Sequence, residues 1–229
     1  MNRIGSLKCI EAHSPEVTFE PELTIILFHG YGADAYDLQT LSDVINTRKS
    51  TRWIFPQGPL EVPIGPGWTG RAWWNIDMRA IEEAAMRGET RDLSNENPLG
   101  LDKARIAAMD MISKLKTPWN KIILGGFSQG AMLATEILLH APENPAAAIL
   151  YSGALLKKEE WKNLAPQRAG TKVFLSHGKN DLVLGHKGSQ QLESLLNQAG
   201  LKAQLNSFDG GHEIPPQVIM KTNDFLSKL

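Results

Sequence analysis

Lys121-Ile122-Ile123-Leu124-Gly125-Gly126-Phe127-Ser128-Gln129-Gly130-Ala131-Met132-Leu133-Ala134-Thr135-Glu136-Ile137-Leu138-Leu139 is the stretch on which the fold turns. It opens with a short branched-aliphatic run that reads as a strand and closes with an apolar run of helical length. Between them lies Gly126-x-Ser128-x-Gly130. A Gly-x-Ser-x-Gly pentapeptide joining a strand to a helix is a nucleophile elbow. It holds the serine oxygen at the tip of a tight, strained turn, near the positive end of the helix dipole.

Outward from this centre, runs rich in branched or aliphatic residues recur at 23–28, 52–55, 121–124, 147–151, 172–176 and 203–207, with a further strand near 7–12. Helical spacing of apolar residues falls at about 36–46, 99–116, 129–140, 188–199 and 216–229. Strand and helix alternate. Continuous apolar strands such as Ile25-Ile26-Leu27-Phe28 suit a parallel sheet covered on both faces. The predicted class is therefore α/β, a doubly wound, mostly parallel sheet.

With 229 residues and 42% hydrophobic content, the chain is long enough for one core and short for two, so a single domain over 1–229 is expected. Its net charge of −1, with Lys and Arg scattered, gives no footprint for nucleic acid or an anionic membrane. The first residues lack the apolar core of a secretion signal, and no stretch approaches the ~20 apolar residues of a membrane span. Cys9 is the single cysteine and cannot form an internal disulfide, which agrees with a cytoplasmic location. Residues 56–77 carry Trp68, Trp73 and Trp74 among many Pro and Gly residues, the composition of a long structured loop. Residues 78–91 read as a charged, solvated helix.

A serine hydroxyl needs a base, and the base needs an orienting acid. On a strand–elbow–helix scaffold of this kind the chain order is serine, acid, histidine. His13 and His29 precede Ser128, and His140 ends the helix that leaves the elbow, which leaves His177, His186 and His212. His212, in the glycine-rich loop Asp209-Gly210-Gly211-His212 after the last strand, is the expected base. His177 reads as a packing or hydrogen-bonding residue at a strand end and His186 as a surface residue. Asp181 follows the strand ending at Ser176 and is the expected acid; Asp209, three residues before His212, is its competitor. Backbone N–H groups of Tyr31, in the turn His29-Gly30-Tyr31-Gly32, and of Gln129 are the expected oxyanion donors. Leu60, Trp68, Trp73 and Trp74 are expected to line a substrate pocket, with Arg71 exposed. No cluster has metal-ligand spacing, so neither metal nor cofactor is expected.

Together, Phe28-His29-Gly30-Tyr31-Gly32-Ala33-Asp34, Pro56-Gln57-Gly58-Pro59 with Arg71-Ala72-Trp73-Trp74, Gly125–Ala131, His177-Gly178-Lys179-Asn180-Asp181 and Gly210-Gly211-His212-Glu213 resemble the phospholipase/carboxylesterase family of α/β hydrolases over nearly the whole chain. The resemblance implies an α/β-hydrolase fold, carboxylic ester or thioester cleavage through a covalent acyl-enzyme, no cofactor, and an apolar acyl groove beside the serine. The implied partner is a small-molecule ester or acyl substrate, and a homodimer is compatible with it. Tyr31 stands where the thioesterase branch typically carries leucine, and Asn75 where aspartate is common. These differences favour a general carboxylesterase over an acyl-protein thioesterase or lysophospholipase. The intact serine, base, acid and glycine-rich turn argue against a non-catalytic binding protein on the same scaffold.

Overall fold

The computed structural model describes residues 1–14 and 20–229. Its strands are β1 (Asn2–Ile4), β2 (Leu7–His13), β3 (Leu23–Phe28), β4 (Thr51–Pro56), β5 (Leu60–Gly65), β6 (Trp68–Ala72), β7 (Ile122–Phe127), β8 (Ala147–Tyr151), β9 (Lys172–Gly178) and β10 (Lys202–Phe208). Its helices are α1 (Leu41–Val44), α2 (Met78–Met86), α3 (Leu101–Leu115), α4 (Gln129–His140), α5 (Lys158–Leu164), α6 (His186–Gln198) and α7 (Pro216–Leu226). Eight strands form one sheet in the order β1-β2-β4-β3-β7-β8-β9-β10. Pairing is parallel from β4 through β10, and β1 and β2 complete the other edge antiparallel. The mostly parallel α/β sheet expected from the alternation is the observed one.

β3 shows why helices must cover both faces. Side chains alternate along a strand, and all six of its residues are buried. Ile26 and Phe28 join a core containing Leu124, Leu150 and Leu175 with Met111 of α3 and Leu133 of α4. Ile25 and Leu27 join the opposite core with Ile123, Ile149 and Phe174, closed by Val218 and Leu226 of α7. A strand buried on both sides is apolar on both, and Thr24 is the one polar residue of β3. The same logic applies to α4, where every residue from Gln129 to Leu139 is buried.

One carboxylate lies inside this apolar helix. Glu136 is fully buried and meets Trp161 Nε1 at 2.6 Å, Arg105 Nε at 3.1 Å and Lys157 Nζ at 3.3 Å. These donors compensate its desolvation and tie α4 to α3 and α5, which fixes the helix that carries the elbow.

Three expectations are corrected. The helix expected over 36–46 is reduced to Leu41–Val44. Asp34 Oδ1 accepts the Tyr36 N–H at 2.8 Å, and the amides of Gln39 and Leu41 donate to the carbonyls of Tyr36 and Leu38, so the segment closes as successive turns. The 56–77 segment, expected as a loop, contains the antiparallel hairpin β5–β6. A Cβ built on Gly70 would lie 1.9 Å from the Gly32 carbonyl oxygen, so only glycine lets the hairpin backbone lie directly on the 30–34 turn. Hydrogen bonds from Gly32 N to Arg71 O and from Arg71 N to Ala33 O, both 2.8 Å, fasten the two together. The charged helix expected over 78–91 ends at Met86, where Arg87 caps it and Gly88 takes a left-handed conformation.

Candidate active site

The elbow is built by two glycines. A Cβ on Gly126 would lie 2.5 Å from the carbonyls of Phe28 and Gly130, and one on Gly130 would lie 1.9 Å from the Phe28 carbonyl oxygen. The turn therefore packs backbone to backbone against the end of β3. Ser128, between them, takes φ 57° and ψ −119°, a strained conformation for a residue with a side chain. Its N–H donates to Tyr151 O at 2.9 Å, which holds the turn on β8.

Asp181 and His212 come together from separate loops. His212 Nδ1 donates to Asp181 Oδ2 at 2.6 Å, while the amides of Val183 and Leu184 donate to Oδ1 at 2.8 and 2.9 Å. Burial alone would raise the pKa of Asp181. Hydrogen bonds from His177 and His212, the charge of the His212 ring and the Leu184 amide outweigh it and hold the carboxyl well below the usual range. The competitor, Asp209, is exposed and bonds Lys179 Nζ at 2.9 Å. The Phe127 ring lies 4.7 Å, centroid to centroid, from that of His212. Ser128 and His212 line one cleft of about 220 Å³ without a hydrogen bond between them; such contacts commonly tighten only when substrate binds.

The 29–31 turn borders the serine from the opposite side. A Cβ on Gly30 would lie 3.4 Å from Ser128 Cβ. The N–H groups of Tyr31 and Gln129 donate to no other group among the described residues. Gln129 is the first residue of α4, so its amide has no partner within the helix. His29 sets the turn: its buried ring donates from Nδ1 to Gly30 O at 2.7 Å and accepts the Gly58 N–H on Nε2 at 2.9 Å. Burial lowers its pKa to about 4 despite the bond to the Gly30 carbonyl, so the ring is neutral at neutral pH.

Of the expected pocket residues, Trp74 lines a recess beside the cleft and the other three lie elsewhere. Trp68 is 73% exposed on the hairpin, and Leu60 lies on its partner strand. Trp73 is buried, its N–H bonded to Gln129 Oε1 and its Nε1 to His29 O, both at 2.9 Å. Leu60, Trp68 and Trp73 do not border the cleft; Ile76, Met78, Ile81, Met132 and Leu184 do. Ile76, Ile81, Met132 and Leu184 also line an adjoining recess of about 160 Å³, which reaches Trp74, Leu93 and Leu156. Arg71 pairs with Glu61 at 3.7 Å on the hairpin.

His186, expected at the surface, is half-buried and bonds Ser207 Oγ at 2.7 Å. Trp74 on the recess was expected from the sequence; His29, the Gln129 side chain and the other recess residues were not. Met132 sits one helical turn after Ser128, and that spacing was the available signal. Among the described residues, Glu136, His140 and Glu160 bring ligand-type atoms within 4.8 Å of one another. Lys157 Nζ, 3.3 Å from Glu136 and 2.7 Å from Glu160, already fills that space with a cation. Among the described residues, no helix is long and apolar enough to cross a membrane.

Comparison with known proteins places this chain in a family. The model of the phospholipase/carboxylesterase family matches residues 13–229. The acyl-protein thioesterase 1 of Neurospora crassa is 26% identical over 217 residues, 90% of this chain and 86% of that protein. That of Kluyveromyces lactis is 30% identical over 166 residues, 70% of each. The crystal structure of esterase PE8 superposes with a TM-score of 0.79 at 26% identity, covering 97% of this chain and 98% of that one. The chain belongs to the phospholipase/carboxylesterase family of α/β hydrolases and is a carboxylic ester hydrolase.

Proposed function

We propose that Ser128 is the nucleophile of a carboxylesterase, with His212 as its base and Asp181 as the orienting acid. The bond from His212 Nδ1 to the buried Asp181 is the observation that carries this reading, because it leaves Nε2 free to face the cleft that Ser128 lines. Ser128 Oγ attacks the ester carbonyl while His212 Nε2 takes its proton. The developing oxyanion is held by the N–H groups of Tyr31 and Gln129, whose removal from such a hole typically costs about 3 kcal/mol each. Collapse expels the alcohol, which takes the proton from His212. Water, activated by the same ring, then releases the acid and frees Ser128. Asp181 stabilises the imidazolium without accepting its proton.

The acyl chain lies in the recess formed by Ile76, Ile81, Met132 and Leu184, beneath α2. A thioester would follow the same path, and the thioesterase names of the curated relatives support that as the second reading. The buried, disulfide-free Cys9 supports a reducing, cytoplasmic setting. The proposed reaction is complete within one chain, so a homodimer is not required for it. Hydrolysis of nitrophenyl esters and matched thioesters from acetyl to palmitoyl tests the reading. The expected outcome is ester turnover that Ser128→Ala abolishes; full activity in that variant rejects the assignment.

A further inference from the structure

Asp181 is shared by two histidines. His212 reaches its Oδ2 at 2.6 Å, and His177 Nε2 reaches the same oxygen at 3.1 Å. The His177 ring is fully buried at the end of β9. Its Nε2 faces only acceptors, Asp181 Oδ2 and Leu184 O at 2.6 Å, so that nitrogen carries the hydrogen. Its Nδ1 lies 2.5 Å from Ser189 Oγ, whose single hydroxyl hydrogen is shared between that nitrogen and Gly153 O at 2.6 Å. Contacts thus run from the loop after β8, through α6, to the carboxylate, which accepts two amides on Oδ1 and His212 on Oδ2, with His177 Nε2 3.1 Å from that second oxygen.

We infer that His177 is a positioning residue for the Ser128 reaction: its Nε2–H, shared between Leu184 O and Asp181 Oδ2, keeps that carboxylate oxygen under the His212 ring and takes up part of its charge. This rests on the assignment of Ser128, His212 and Asp181 proposed above. The Val183 and Leu184 amides hold only Oδ1 and leave the carboxylate able to rotate about that hinge; the His177 ring stops the rotation. Because both rings draw on one oxygen, His177 also limits how strongly Asp181 favours the imidazolium of His212. The other titratable groups around the pair do not bond Asp181. They are His186, 5.8 Å from His177 between ring centroids, Glu193 on the same helix, the Lys179–Asp209 pair, Glu213, bonded to the Gly211 amide, and Asp37 across the cleft.

The test compares wild type, His177→Leu and His177→Gln by kcat, KM and the pH profile of kcat/KM on a short nitrophenyl ester. Leucine removes the donor, whereas glutamine can place an amide N–H near the Nε2 position. The leucine variant is expected to lose roughly ten- to hundredfold in kcat with KM held within about twofold, the loss of one buried hydrogen bond to a charge. Its acid limb moves up by about one pH unit, because Asp181 then binds the protonated ring more tightly. Glutamine restores most of the rate. Equal impairment of both variants with a wild-type pH profile overturns the inference in favour of packing, and so does an unaffected leucine variant. If the leucine variant does not fold, Ser189→Ala, which frees the ring from its Nδ1 anchor, is read in the same way: a raised acid limb supports the inference and an unshifted one overturns it. A wild type that a fluorophosphonate leaves unlabelled at Ser128 defeats the underlying triad assignment, whereas labelling with unshifted profiles defeats only the role of His177.

Discussion

Gly130 approaches Phe28 so closely that a Cβ on it would lie 1.9 Å from the Phe28 carbonyl oxygen. The elbow and the neighbouring strand therefore share one backbone contact surface, and the second glycine of the pentapeptide is required by packing. Gly130→Ala must push α4 away from β3 or distort the turn. Destabilisation of at least about 2–3 kcal/mol is expected, the usual cost of overpacking a rigid site. Urea unfolding measures it; a midpoint within error of wild type contradicts the close approach.

Chain-length preference is expected to follow the recess and not the exposed Trp68. Ile81 on α2 borders both the cleft and its extension, whereas Trp68 is 73% exposed on the hairpin. Ile81→Trp fills the recess and should lower kcat/KM for octanoyl relative to acetyl esters by about tenfold or more, since each excluded methylene costs about 1 kcal/mol. Trp68→Ala should leave the ratio unchanged. A reversed pattern, with Trp68 setting the preference, would place the acyl chain against the hairpin.

His29 gives stability a definite pH dependence. Its pKa falls from an ordinary 6.5 to about 4 on folding, so between those values the unfolded chain binds the proton and the folded chain does not. Stability is therefore undiminished by this group above pH 6.5 and is lost as pH falls towards 4, by about 3 kcal/mol for a shift of this size. His186, lowered by its own burial and by the charges of His177 and Lys179, acts in the same direction. Asp181, held below the ordinary carboxylate range, adds its loss only at more acidic pH. Urea midpoints at neutral and mildly acidic pH should differ strongly in wild type and much less in His29→Gln. An equal pH slope in both rejects a buried neutral ring at the oxyanion turn.

The sheet was legible because β3, β7, β8 and β9 are buried on both faces and carry short apolar runs such as Ile25–Phe28, Ile122–Leu124, Ala147–Leu150 and Val173–Leu175. Asp181 and His212 could be paired from the chain because each follows a strand on the same edge of the sheet and the order after Ser128 left few candidates. Other features depended on contacts between distant segments. The hairpin β5–β6 is disguised by Pro and Gly residues and holds its place through Gly32 and Arg71, not through a periodic pattern. Asp34 bends 36–46 into turns through one side-chain bond that a helical spacing does not reveal. Trp73 looks like a pocket residue in composition, yet Gln129 clamps its backbone and it is buried away from the cleft, whereas Trp74, clamped by the same side chain, lines the recess. The recess draws Ile76 and Ile81, Met132, and Leu184 from three places in the chain, a grouping that only tertiary packing creates.

Reaction with a fluorophosphonate, followed by peptide mapping, asks most directly whether Ser128 is activated by its surroundings. One adduct per chain is expected, on the peptide that contains Ser128, forming much more slowly in His212→Ala and absent in Ser128→Ala. Labelling elsewhere, or a rate at Ser128 that is indifferent to loss of the His212 ring, would contradict the proposed mechanism at its root.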